Sequence, residues 1–222
     1  LYQITLDEEG NSMRQKRVYL VDDDPGIRES LTWLLGAAGI QLICFAGAES
    51  FLKQADSTLP GCVLLDICMP GMTGVELQEH LLCKENMLSI IFLTGHADVP
   101  TTTHIFKNGA FDLMEKPVDT EELLRGIHLA LTSSEKKYEW HAGRRQFTEA
   151  WEELTDREKQ ILLLVLEGLS NKVIADRLHL ALRTVEIHRH NMMKKMGADS
   201  AIQLAHSVSK YMDINEIKVA SH

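Results

Sequence analysis

The sequence of 222 residues has no apolar run long enough to cross a bilayer, and no N-terminal basic segment followed by an apolar core and a cleavage site. A cytoplasmic protein is expected. Cysteine is sparse: Cys44, Cys62, Cys68 and Cys83 all lie in the first half, three of them in or beside apolar strands, and none in a CxxC pair. That excludes a disulfide framework and predicts reduced, mostly buried thiols. No P-loop, no HExxH and no zinc-ligand spacing occurs, and His188-x-His190 does not supply one. Positive charge is scarce in one half only. Nine Lys and Arg face nineteen Asp and Glu up to residue 131, whereas fourteen face thirteen from residue 132 onward. The acid argues against nucleic acid as a partner of the first half and leaves the second half free to approach a polyanion.

What is present suits two ordinary domains. Residues 1–13 are polar, acidic and aperiodic, and are expected to be a flexible leader, an expression scar or a truncated start, outside the fold. The stretch Cys62 to Gly74 organises the remainder: an apolar run ends at Asp66 and then breaks into Met69-Pro70-Gly71. Such a run reads as a strand buried on both faces of a parallel sheet, and its carboxyl end is where open α/β sheets bind ligands. A single aspartate there caps a turn more often than it reacts.

Its neighbours decide between the two. Val18 to Val21 is a strand running into Asp22-Asp23-Asp24, with Pro25 opening a helix that ends at Gly39. Strands follow at Gln41 to Phe45, Cys62 to Leu65, Ile90 to Leu93 and Asp112 to Glu115. Helices are expected over Ala48 to Gln54, Val75 to Leu82, Val99 to Asn108 and Thr120 to Leu131. Alternating strands and helices define a doubly wound five-stranded parallel sheet. All its strands point one way, so Asp22, Asp23, Asp66, Thr94 and Lys116 converge at one edge. Clustered carboxylates repel unless they share a cation, and hard oxygen donors describe a Mg2+ site. A carboxylate so placed can attack phosphorus, with the metal, Lys116 and the Thr94 hydroxyl facing the phosphoryl oxygens.

From Lys16 to about Leu131 these residues resemble the receiver domain of two-component response regulators, which implies a flavodoxin-like sheet. The markers are Val21-Asp22-Asp23-Asp24, Leu65-Asp66 with Met69-Pro70-Gly71-Met72-Thr73-Gly74, Leu93-Thr94-Gly95-His96 and Glu115-Lys116-Pro117. The resemblance implies that Asp66 is the phosphoacceptor, that Asp23 ligates Mg2+ directly and Asp22 through water, and that the Cys68 carbonyl completes the set. It assigns Thr94 and Lys116 to the phosphoryl group, makes the Lys116-Pro117 bond cis, and lets Cys68 and His96 flank the hydrolytic water. One departure stands out: Leu113 occupies a position where the family usually has Phe or Tyr.

Thr132 to Glu153 reads as a linker compatible with a helix, with Leu124, Leu131 and Tyr138, and again Trp140, Phe147 and Leu154, at heptad spacing, and a break near Gly143. Those aromatics fit the flanking domains equally well. From Leu154 to residue 212 a T-x-x-E capping box at Thr155 and Glu158 opens one helix, Ser170 caps a second, and a turn at His179 to Leu182 leads into a third over Arg183 to Met196. Asp199 or Ser200 starts a fourth through Tyr211, and residues 213–222 form a tail. Two short helices and a tight turn inside this four-helix unit make a helix-turn-helix. Val185, Met192, Met193 and Met196 are expected inside, and Arg183, Glu186, Arg189, His190, Lys194 and Lys195 outside.

Leu154-Thr155-x-Arg157-Glu158, Gly168-Leu169-Ser170-Asn171-Lys172 and Arg183-Thr184-Val185-Glu186-Ile187-His188-Arg189 look like the LuxR-type DNA-binding domain, closest to its FixJ branch. The resemblance implies that Asn171, Lys172, Arg183, His188 and Lys195 hold the DNA backbone, and that Val185, Glu186, Arg189 and His190 lie nearest base edges. It makes the last helix, with Ile202, Leu204, Val208 and Tyr211, a dimer surface. Ala181 departs from a commoner capping residue. The joint expectation is a regulator phosphorylated on Asp66 by a sensor histidine kinase, dimerising on promoter DNA with RNA polymerase as a further partner, and not a turnover enzyme. An aspartyl-phosphate hydrolase would want a second carboxylate where Cys68 stands. A constitutive DNA binder with the receiver as a dimerisation scaffold is the alternative.

Overall fold

The computed structural model describes residues 5–6, 12–13, 17–82, 85–95 and 98–212. His96, Cys83, the tail from 213 and most of the leader lie outside these residues; of the leader, only Thr5–Leu6 (β1) and Ser12–Met13 (β2) are described, as a short antiparallel pair. The chain divides into two compact units, Leu1–Tyr138 and Glu139–His222.

In the first unit, strands β3 (Arg17–Val21), β4 (Leu42–Phe45), β5 (Gly61–Asp66), β6 (Leu88–Thr94) and β7 (Asp112–Glu115) form one parallel sheet in the order β4-β3-β5-β6-β7. Between them lie α1 (Pro25–Ala37), α2 (Ala48–Gln54), α3 (Gly74–Leu82) and α4 (Val99–Lys107). Every residue of β5 is buried, as a strand covered on both faces by helices must be. One face of the sheet carries Tyr19, Phe45, Phe51, Val63 and Phe92, and the other Leu20, Leu64, Ile91, Leu93 and Ile127. Pro25 sits in the first turn of α1, with the Asp24 carboxylate accepting from the Gly26 N–H at 2.7 Å. The thiols depart from expectation. Cys62 is buried, but Cys44 and Cys68 are exposed, Cys44 because its strand is the sheet edge.

Helix α5 runs from Thr120 to Glu152, beyond the stop expected at Leu131 and straight through Gly143. In the first unit the buried Ser134 hydroxyl accepts from the Gly61 N–H at 2.8 Å and donates to the Met87 carbonyl at 2.6 Å, joining α5 to the starts of β5 and β6. In the second unit its residues Phe147 and Trp151 are core, so the expected linker is part of the folded units. Gly143 is explained by packing: a Cβ there would collide with the Tyr211 hydroxyl.

The second unit adds α6 (Asp156–Leu166), α7 (Asn171–Leu178), α8 (Leu182–Lys195) and α9 (Ala201–Tyr211). Thr155 and Glu158 make the expected capping box, and Ser170 and Ser200 cap α7 and α9 through their hydroxyls. His179 ends α7 in the left-handed region at φ 53°, and Ala181 supplies no side-chain cap to α8. The core gathers Phe147, Trp151, Ile161, Leu162, Ile174 and Val185. Leu204 and Val208 of α9 are buried in it, and Tyr211 packs beside Phe147, so these three do not form a free dimer surface. Ile202 remains outside, at 83% exposure.

Candidate functional site: an acid pocket and a recognition helix

Asp22 follows β3, Asp66 ends β5, Thr94 ends β6 and Lys116 follows β7, so the parallel register alone brings them to one edge. Lys116 is central. Its ammonium donates to Asp22 Oδ2 at 2.7 Å and to Asp66 Oδ1 at 2.8 Å, linking positions far apart in the chain. Its backbone N–H donates to the Thr94 carbonyl at 2.7 Å, which locks the end of β6 to the turn carrying the lysine. The Lys116-Pro117 bond is cis, as the resemblance implied.

Asp22 has a partner on every polar atom. Its N–H donates to the Phe45 carbonyl at 3.2 Å and its carbonyl accepts from the Arg28 guanidinium at 2.7 Å. Oδ1 accepts from the Asp24 N–H at 2.9 Å, and Oδ2 from Lys116. Such complete pairing is what a buried carboxylate requires. Arg28 was missed by sequence reasoning; its place in the first turns of α1, just after the acids, was the available signal. Gly74 holds the other side. A Cβ on it would collide with the Asp66 carbonyl, and its N–H donates to the Ile67 carbonyl at 3.0 Å, so only glycine lets α3 begin against the Asp66 turn.

Burial lifts the Asp66 carboxyl above its ordinary value; Lys116 pulls it down, while the charges of Asp22 and Asp23 push it up further. Burial would depress Lys116, but its two carboxylate partners outweigh that and hold it above the usual lysine value. Thr94 is buried at the same edge. Asp23 is exposed, and Leu113 is half-buried against the core face containing Phe92 and Ile105.

The structure therefore brings together Asp22, Asp66 and Lys116, and leaves Asp23 and Cys68 at the surface beside them. Among the described residues, no three His, Cys, Asp or Glu side chains are gathered closely enough to hold a metal ion. The inner oxygens of Asp22 and Asp66 face Lys116 instead. The donor chemistry nevertheless fits Mg2+: three carboxylates act on one another against a single ammonium, and all are hard oxygen donors.

In the second unit α8 exposes Arg183 and His190, while Glu186 and His188 are half-buried; Arg183 pairs with Glu186 at 3.2 Å. Val185 is corrected: its side chain is fully buried in the core and cannot reach a base edge. One position cannot serve both faces of a helix. Arg189 donates to Asn171 Oδ1 at 2.7 Å, joining α8 to the first residue of α7. Lys195 donates to Glu158 Oε2 at 2.7 Å and to the Glu153 carbonyl at 3.0 Å, which anchors the end of α8 to the start of α6. Glu158 is buried; its burial opposes ionisation, but Lys195 and the Thr155 donors outweigh it and hold the carboxyl below its usual range. Lys172 is exposed.

A sheet edge carrying an acid pair bridged by lysine, followed by a helix-turn-helix unit, is the arrangement of a phosphorylation-dependent transcription regulator. Residues 18–128 match the response regulator receiver domain, and residues 152–208 match the LuxR family of bacterial regulatory proteins. The chain belongs to the two-domain response regulators of the FixJ type. It is 36% identical to the response regulator protein TmoT of Ectopseudomonas mendocina, over 88% of this chain and 89% of that one. It is 35% identical to the transcriptional regulatory protein FixJ of Bradyrhizobium diazoefficiens, over 84% and 91%. Among solved structures, the response regulator StyR superposes with a TM-score of 0.80 at 38% identity, over 89% of this chain and all of that one. Full-length FixJ from B. japonicum gives 0.54 at 33% identity, over 89% and 97%.

Proposed function

We propose that Asp66 accepts the phosphoryl group of a sensor histidine kinase, and that the phosphorylated protein dimerises, binds promoter DNA and engages RNA polymerase in the cytoplasm. The observation that carries this reading is the Lys116 ammonium between Asp22 and Asp66. Asp66 Oδ attacks phosphorus, the P–N bond to the kinase histidine breaks with its electron pair going to the ring nitrogen, and the ring leaves as neutral imidazole, keeping the proton already on its other nitrogen. Lys116 can follow the negative charge from the carboxylate to the phosphoryl oxygens, with the Thr94 hydroxyl as a further donor. Asp22, Asp23, Asp66 and the Cys68 carbonyl would hold Mg2+, which supplies charge neutralisation for the transferring group.

The new charge of roughly −1.5 to −2 on Asp66 favours a conformation in which Thr94 and the surface from Val99 to Leu113 rearrange. In the second unit Asn171, Lys172, Arg183 and His188 are assigned to phosphates, and Glu186 and His190 to base edges. Arg189 and Lys195 serve first to hold the unit together. A dimer matches two half-sites about one helical turn apart.

The test is solution mass by light scattering with Mg2+, with and without beryllofluoride as phosphoryl stand-in, on wild type and Asp66→Asn. Doubling of mass in wild type alone is expected. Unchanged mass in wild type, with operator binding equal in Asp66→Asn, would replace the switch by the constitutive reading.

A further inference from the structure

Of the nine residues of α4 only Ile105 is buried, and Val99, Thr103 and Phe106 are exposed. A helix with so little apolar area against the core is held in place weakly by packing. Its N-terminus is closed by its own cap, the Asp98 carboxylate accepting from the Thr101 N–H at 2.7 Å. Its last turn is closed by a neighbour. Gln78 of α3, 1% exposed, donates from Nε2 to the Ile105 carbonyl at 2.9 Å and to the Asn108 carbonyl at 3.2 Å. The next residue, Glu79, ties the same joint at the surface: its Oε1 lies 2.9 Å from His104 Nε2, which lies 3.1 Å from the Asn108 amide.

Packing alone does not call for a glutamine here. Facing two carbonyls, its amide must present the nitrogen, and Oε1 is left buried with no partner among the described residues. An apolar side chain would avoid that cost, but it would let α4 slide, because apolar contact is non-directional. Two hydrogen bonds to fixed carbonyls hold the helix at one position. The orphaned oxygen limits their net strength, since an amide released from α4 can turn and find a donor for it. In this structure Lys116 is bonded to Asp66 itself, so the position held is that of the unphosphorylated chain.

We infer that Gln78 is a clasp that keeps α4 in its resting position through the Ile105 and Asn108 carbonyls, with the Glu79 and His104 pair as its outer tie, and that it lets go when the helix shifts. This rests on the phosphorylation switch proposed above and names the contact that sets its resting state.

The experiment titrates the full chain with beryllofluoride in the presence of Mg2+, read by fluorine NMR of the bound group, so that binding is measured apart from dimerisation. A contact made only in the resting position lowers the population that binds the phosphoryl stand-in. Gln78→Met, which keeps the volume and removes both donors, should therefore bind beryllofluoride about fivefold more tightly than wild type, the worth of one net hydrogen bond. Glu79→Ala, at the surface, should move binding in the same direction by about twofold. A merely structural role would leave binding unchanged or weaken it. Unchanged or weaker binding by a Gln78→Met protein that melts cooperatively in circular dichroism overturns the inference while the switch stands. If Gln78→Met does not fold, Glu79→Ala decides, and unchanged or weaker binding there overturns it. If wild type binds no beryllofluoride, the phosphorylation reading falls, and the inference with it.

Discussion

Two buried carboxylates in this chain, Asp66 in the first unit and Glu158 in the second, each accept from a lysine at 2.7 to 2.8 Å and yet shift in opposite directions. Burial opposes ionisation of both. Around Asp66 the lysine is shared with Asp22, and Asp22 and Asp23 add repulsion, so with burial the carboxyl is held above its ordinary value. Around Glu158 one oxygen accepts from Lys195, from the Thr155 N–H and from the Thr155 hydroxyl, so ionisation is favoured. A crowded carboxylate is a reactive group, and a well-donated one is a strut.

The largest effect separates them chemically. Asp66→Asn should abolish phosphoryl incorporation from a small-molecule phosphodonor, by at least about 100-fold, whereas Glu158→Gln should leave it unchanged; mass spectrometry reads both. Equal incorporation into Asp66→Asn would remove Asp66 from the chemistry.

Next come the lysines. Lys116→Met leaves two buried acids unpaired, and should destabilise the first unit by about 3 kcal/mol in urea unfolding. Lys195, whose side chain is one-third exposed, is screened by water, so Lys195→Met should cost the second unit only about 1 kcal/mol. The reverse ranking would make the Lys116 bridge dispensable.

The pH dependences should be opposed in sign. Asp66 binds its proton more tightly folded than unfolded, so its contribution is present below the unfolded value of about 3.9 and is lost as pH rises through the folded one. Without Mg2+, Asp66→Asn should therefore gain stability over wild type across that window. Glu158 contributes above its unfolded value of about 4.3 and loses that contribution as pH falls through its lower folded value. The advantage of wild type over Glu158→Gln should shrink in acid; differences moving in the same direction would sink the contrast.

The smallest effect concerns Leu113, half-buried on the inner face. Leu113→Phe should alter beryllofluoride-induced dimerisation by no more than a few-fold if the leucine already fills the space beside Thr94. A larger change would show that an aromatic lever matters at this position.

The alternation of strands and helices made the sheet and the convergence of Asp66, Thr94 and Lys116 legible in the sequence, because a parallel sheet collects all its strand ends on one side. The flavodoxin-like strand order that the resemblance implies is the one found, with β4 at an edge, whereas the exposure of Cys44 stayed hidden because a short apolar run does not by itself tell an edge strand from a central one. Helical phase decided the recognition residues. The apolar phase of the helix put Val185 inside, and its place in one core with Ile174 and Met192 bears that out against the base-edge role that the resemblance implied. The helical reading of 132–153 holds, but without the break at Gly143, because glycine reads as an interruption in the sequence whereas here it makes room for a tyrosine from α9.

That notch has an evolutionary consequence. Glycine within a helix is worse than alanine by about 1 kcal/mol, so Gly143 should drift to alanine wherever nothing forbids it. In this fold the Tyr211 ring occupies that space and would have to shift to admit a Cβ. Across the descendants of this chain the two positions should change as a pair, with a small residue arriving at 211 before any side chain is admitted at 143.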